Sequence, residues 1–108
     1  MVDRSNLQGA LALLILKTLA RGANHGFGIA LHIQNASEGL LNVEEGSLYP
    51  ALHRLERDKL VSAEWKVTAN GRRARYYKLT AAGRKKLRDA EASWDATAQG
   101  VTRVLRFA

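Results

Sequence analysis

Apolar positions are densest near the start of the chain, where Leu7, Leu11, Leu14 and Thr18 make one helical stripe while Leu13, Ile15, Leu16 and Leu19 cover the other faces. A helix apolar nearly all round must be enclosed on several sides. Ser5-Asn6-Leu7-Gln8 matches a capping box, so this helix is expected from about Leu7 to Arg21, with Gly22 as its stop. After the loop GANHG, a second helix is predicted from about Phe27 to Ser37, with Ile29, Ile33 and Ala36 on one side, Phe27 and Leu31 on another, and Gly39 ending it. Leu40 to Val43 reads as a short extended piece. A third helix over roughly Gly46 to Asp58 buries Leu48, Leu52 and Leu55 at i, i+4 and i+7, with Pro50 placed in its first turn, where a missing N–H costs nothing.

The period then changes. Val61, Ala63, Trp65 and Val67 alternate with Ser62, Glu64, Lys66 and Thr68, the pattern of a half-buried strand, which makes Trp65 a core residue. Tyr77 and Leu79 supply the inward positions of a partner strand, and Asn70-Gly71 between them reads as a hairpin turn. Thr80 can cap a last helix in which Leu87, Trp94 and Val101 recur every seven residues, with Ala90, Thr97 and Val104 as companions and Ala98 and Leu105 widening the stripe. Gly100 weakens that helix by about 1 kcal/mol relative to alanine and marks a bend or a close approach. So small a domain cannot cover this apolar face alone, so a symmetric dimer is expected, each long helix packing on its mate or on its mate's first helix. The fold class is mainly α with a small β-hairpin. Residues 1–80 form a winged helix-turn-helix and residues 81–108 a C-terminal dimerisation helix, in one compact unit.

Charge sharpens this picture. From Lys66 to Arg88 there are nine Lys and Arg and no Asp or Glu, and with the whole chain at +7 that leaves the remainder at −2. The basicity therefore reads as one local surface, a footprint for polyanions with arginines at the hairpin tip. The third helix presents Ser47, Tyr49, His53, Arg54 and Arg57 opposite its leucines, all able to donate hydrogen bonds. On an isolated amphipathic helix a solvated face is the plainer reading. Two helices, a third with a donor-rich face and then an Arg-tipped hairpin is the order of a winged helix-turn-helix, whose third helix enters the major groove.

With no cysteine, disulfides, thiolate metal sites and cysteine nucleophiles are excluded, and the cytoplasm is the default compartment. The stretch Gly9 to Ala20 is far short of the ~20 apolar residues of a membrane span, is broken by Lys17 and has no basic flank. No membrane role, metal or cofactor is expected. Enzyme chemistry fares poorly, because His25, His32 and His53 fall on different segments, Glu44 and Glu45 are adjacent rather than convergent, and no phosphate-binding glycine loop is present. Two other classes stay open: a winged helix that meets an acidic protein partner, and an architectural or RNA-binding basic protein.

GSLYPALHRLERDKLV, a following Trp65 and then NGRRARYYKLTAAGRKKL resemble the PadR family of bacterial transcriptional regulators, named for the phenolic acid response. The match spans Leu7 to about Leu105 and is most specific where LYPALHRLE joins RYYKLTAAG; the LT-x-x-G fragment alone is shared by several winged-helix families. One long terminal helix is similar to the smaller subgroup, in which that helix dimerises the protein. The chain departs from the pattern at Lys59, where the family usually has Gly; a left-handed backbone there costs Lys roughly 1 kcal/mol.

The resemblance implies a dimeric repressor whose third helices occupy successive major grooves of a pseudo-palindromic operator in double-stranded DNA. Base-edge or groove contacts then fall to Ser47, Tyr49, His53 and Arg54, and the first-turn N–H groups of that helix are available to a phosphate. Phosphate or minor-groove contacts fall to Arg72, Arg73 and Arg75, and further backbone contacts to His25 and Gly26. Leu87, Trp94 and Val101 are seam residues of the dimer. In the sharper alternative, Trp94 and its mate flank a gap where a planar aromatic effector stacks, as the family's response to phenolics suggests.

Overall fold

The computed structural model describes residues 4–107, and among them the chain forms α1 (Arg4–Leu19), β1 (Asn24–His25), α2 (Gly26–Ala36), α3 (Glu45–Arg57), β2 (Val61–Val67), β3 (Arg73–Leu79) and α4 (Ala81–Arg106). The three strands make one antiparallel sheet in the order β1-β3-β2. The architecture is a winged helix-turn-helix followed by a long helix. Leu11, Ile15, Leu16 and Leu19 of α1 are buried among Ile29 and Ile33 of α2, Leu48, Leu52 and Leu55 of α3, Tyr77 and Leu79 of β3, and Leu87 of α4. The helix that reads as apolar on all sides is thus the centre of the core. Among its described side chains the one buried polar group, Thr18, donates its hydroxyl to the Leu14 carbonyl at 2.8 Å.

Several boundaries differ from expectation. α1 already runs at Arg4, so Ser5 lies inside the helix rather than at its cap. Residues 40–43 join no strand, and the sheet gains instead β1, whose Asn24 and His25 pair with Tyr77 and Tyr76. α3 begins at Glu45, which puts Pro50 beyond the first turn and leaves the Gly46 carbonyl without its helical donor. Gly46 is exposed, so water can satisfy that oxygen. The residue ending α2 in left-handed backbone is Glu38, with φ 53°, just before Gly39.

The exit from α3 shows why glycine would suit position 59, where this chain has Lys59. Leu60 N–H donates to the Leu55 carbonyl at 2.9 Å and Lys59 N–H to that of Glu56 at 3.0 Å, a Schellman pair that demands left-handed backbone at Lys59, observed at φ 61°. The turn then receives α4. Thr80 Oγ1 donates to the Lys59 carbonyl at 2.7 Å and accepts the N–H of Gly83 at 3.0 Å, capping the helix. Gly83 rests directly on the Leu60 carbonyl, where no Cβ fits. Leu79 in the core, the Thr80 cap and the Gly83 contact account physically for the LT-x-x-G fragment.

The hairpin is longer than the core it covers. Register pairs Val61 with Leu79, Ala63 with Tyr77, Trp65 with Arg75 and Val67 with Arg73, so these eight share one sheet face. Only its first half is covered: Val61, Tyr77 and Leu79 are buried, whereas Trp65 is 59% and Val67 68% exposed. The assignment of Trp65 to the core is therefore corrected; the alternation holds, but the helices end before the strand does. At the tip, Thr68 N–H donates to the Arg72 carbonyl and Gly71 N–H to the Thr68 carbonyl, with Gly71 at φ 81°. This is a three-residue loop ending in a left-handed glycine; a two-residue Asn70-Gly71 turn of type I′ would also need positive φ at Asn70, which is not adopted.

The nine cations do not make one surface. β3 separates the hairpin tip from the start of α4 by seven residues, about 20 Å of strand, so Arg84, Lys85, Lys86 and Arg88 lie at the far end from Arg72 and Arg73. Beyond Leu87, α4 leaves the core, and Trp94, Val101, Val104 and Leu105 are exposed. Among the described residues, a Cβ built on Gly100 meets nothing within 4 Å beyond its own stretch of helix, so no close approach is made there within the protomer. Gly83→Ala is expected to lower unfolding stability by about 1–3 kcal/mol, the range for overpacking, while Gly100→Ala raises it by up to about 1 kcal/mol; urea midpoints of the two variants check this.

Candidate nucleic-acid interface

α3 buries Leu48, Ala51, Leu52 and Leu55, which turns Tyr49, His53 and Arg54 outward. All three are exposed and Ser47 is half-buried. The side chains of Arg54 and His53 make no hydrogen bond or ion pair among the described residues, whereas Arg57 is held locally by Asp58 at 3.4 Å. The Tyr49 ring lies against Gly26, where an added Cβ would come within 2.9 Å of its hydroxyl, so the absence of a side chain at Gly26 sets Tyr49 beside the start of α2. His25 caps that helix: its Nδ1 accepts the N–H of Gly28 at 3.1 Å, which leaves the other ring nitrogen, Nε2, as a donor. The His25 ring packs edge-on against Tyr76, with centroids 5.1 Å apart. α2 thus presents a positive helix end next to the donor face of α3.

The wing forms the opposite wall. Arg72 is exposed and its side chain is unpaired among the described residues. Arg73 lies over the indole of Trp65, its guanidinium carbon 5.0 Å from the ring centroid. Arg75 is engaged differently: Nη2 donates to Glu56 Oε2 at 2.6 Å, both side chains are about two-thirds buried, and its Nε is buried without a partner. This charge-assisted bond ties the middle of β3 to α3 and fixes the angle between wing and helix. At its root, burial pushes the Tyr77 phenol above its ordinary range, with Arg75 partly offsetting the effect.

Between the two walls runs a cleft of about 430 Å³, lined by His25, Phe27, Tyr49, His53, Trp65 and Arg73 among others. The structure therefore brings together His25, Tyr49, His53, Arg73 and Arg75 around one depression. Leu87 and Val101 lie on α4, the first buried and the second exposed, and Trp94 is half-exposed between them. Phe27, Trp65 and Glu56 escape a reading of the sequence as site residues. For Trp65 the missed signal is its distance from the turn, since it stands nearer the hairpin tip than the core end. Among the described residues, no group of His, Asp and Glu is arranged to hold a metal, and no helix is long and apolar enough to cross a membrane.

The Arg75–Glu56 tie carries a direct expectation. In a double-mutant cycle with Arg75→Ala and Glu56→Ala, the coupling in unfolding free energy should be about 1 kcal/mol, discounted for partial exposure; additive losses would remove the tie.

Comparison with known proteins gives the same direction. The family described as Transcriptional regulator PadR-like matches residues 15–89. Transcriptional regulator Rv3488 of Mycobacterium tuberculosis is 40% identical over 80 residues, covering 74% of this chain and 71% of that protein. A PadR-like transcriptional regulator from Bacillus cereus superposes with a TM-score of 0.81 at 26% identity, over 96% of this chain and 99% of that one. A transcriptional regulator from Clostridium thermocellum, at 23% identity, shares the fold with a TM-score of 0.86 over 95% of this chain and 97% of that one. Because the family's pattern covers more than half of the chain, α1 into α4, the protein belongs to the Transcriptional regulator PadR-like family.

Proposed function

We propose that this protein is a sequence-specific DNA-binding repressor that works as a homodimer on a pseudo-palindromic operator. The observation that carries the reading is the pairing of Tyr49 and His53 on the outward face of α3 with Arg73 on the wing across a shared cleft, with Arg54 exposed on the same helix and Arg72 exposed on the wing. α3 enters the major groove, where Arg54 and His53 reach base edges, Ser47 and Tyr49 line the groove, and the N–H groups at the start of α2 and His25 Nε2 meet the phosphate chain. Arg72 and Arg73 neutralise phosphates or enter the minor groove. Arg75 acts through Glu56, holding the wing at the angle that lets both parts engage one duplex.

The dimer reading rests on α4. Trp94, Val101, Val104 and Leu105 are large, apolar and exposed on a helix whose first turns are anchored by Leu87 and by the Lys17–Glu91 pair at 3.1 Å. Such a patch on a small chain marks an interface, and a second copy of α4 or α1 supplies a self-complementary cover. Trp94 lies in that seam, where an indole from each protomer would bracket a planar aromatic effector.

Arg72→Ala should weaken binding to every duplex and lower the slope of log K against log salt by about one, whereas Arg54→Ala relaxes sequence preference with a smaller change in slope. Equal effects of both variants on all sequences would reduce the protein to a nonspecific polyanion binder. Val101→Asp should convert the protein to a monomer by analytical ultracentrifugation and remove preference for paired half-sites; a dimer unaffected by that charge would place the interface elsewhere.

A further inference from the structure

Trp65 is the largest exposed side chain that the contacts above leave without a task. It stands on the sheet face that buries Val61 and Tyr77, yet it is 59% exposed because no helix reaches it. An indole costs free energy in water, and a core needs it elsewhere. Three observations point to what covers it. Its ring is held beneath the Arg73 guanidinium, 5.0 Å from the centroid, so its exposed face is presented together with a cation. It forms one side of the cleft whose other side carries Tyr49 and His53 of α3, and Phe27, itself 68% exposed, stands at the start of α2 along the same cleft. The cleft thus has aromatic walls and basic edges, the chemistry that packs against a sugar while its charges meet the flanking phosphates.

We infer that Trp65 is a direct DNA contact: its indole packs on a deoxyribose of the backbone strand that runs between α3 and the wing, while Arg73 pairs with the adjacent phosphate. The contact is blind to sequence, because every nucleotide offers the same sugar. It rests on the DNA-binding reading above and adds an apolar element to a footprint otherwise built from charge. It also makes Trp65, rather than Trp94, the tryptophan that reports on DNA.

The test uses the full-length protein and a mixed-sequence duplex at low salt. Trp65→Ala should weaken binding roughly tenfold, near the low end of an aromatic contact to nucleic acid, with the salt slope unchanged because no counterion is involved. In an Arg73→Ala background the same change should still weaken binding; no further loss there would mean that the indole only positions Arg73 and would overturn the contact. Emission quenching by duplex should vanish in Trp65→Phe and persist in Trp94→Phe, and the reverse pattern would refute the assignment. Circular dichroism melts of Trp65→Ala should match the native protein, since the side chain is outside the core. If the native protein binds duplex and Trp65→Ala binds equally well, this inference fails and DNA binding stands; if the native protein binds no duplex, both fail together.

Discussion

Everything in this molecule is arranged around the need to bury α1. With Ile15, Leu16 and Leu19 enclosed completely or nearly so, α1 has to be surrounded, and α2, α3, the inner end of the sheet and the first half of α4 are the elements that do it. A chain of 108 residues has little left over. The outer half of the hairpin and the second half of α4 therefore project beyond the core, and these projections carry the exposed aromatic, basic and apolar side chains. The surfaces assigned to DNA and to a second copy are what a core of this size cannot reach.

Two polar connections turn that core into a defined shape. At one end, the left-handed turn at Lys59 delivers the Lys59 and Leu60 carbonyls to Thr80 and Gly83, so the direction of α4 is set by the exit from α3. At the other, the Arg75–Glu56 bond at 2.6 Å sets where the wing stands relative to the same helix. α3 is thus the common reference for both projections. In the proposed dimer, a change in the relation between the two α4 helices would pass through the Lys59 turn to α3 and so to the spacing of the paired α3 helices.

How much of this the sequence discloses depends on the range of each interaction. Helices were legible because Leu48, Leu52 and Leu55, or Leu87 with the Thr80 cap, are local patterns. The departure from glycine at Lys59 was legible within a recognisable motif, while its left-handed backbone, φ 61°, came from the structure. β1 was not, since two residues carry no periodicity and become a strand only by pairing with Tyr76 and Tyr77 some fifty positions away. Trp65 was misplaced for a related reason: alternation tells which face a residue is on but not how far along that face the core extends. Likewise the run from Lys66 to Arg88 is contiguous in sequence yet divided by the length of β3. Of the candidate site, the residue types on α3 were readable, while the commitment of Arg75 to Glu56 required the distance between two elements.

Sequence-specific binding by a dimer is tested by selection of bound duplexes from a random pool at near-physiological salt, followed by sequencing of the retained fraction. A two-fold pair of α3 helices should enrich an inverted repeat whose half-site centres lie about one helical turn apart. Salt-sensitive retention with no enriched sequence would contradict such binding, leaving a basic surface that binds polyanions without reading them.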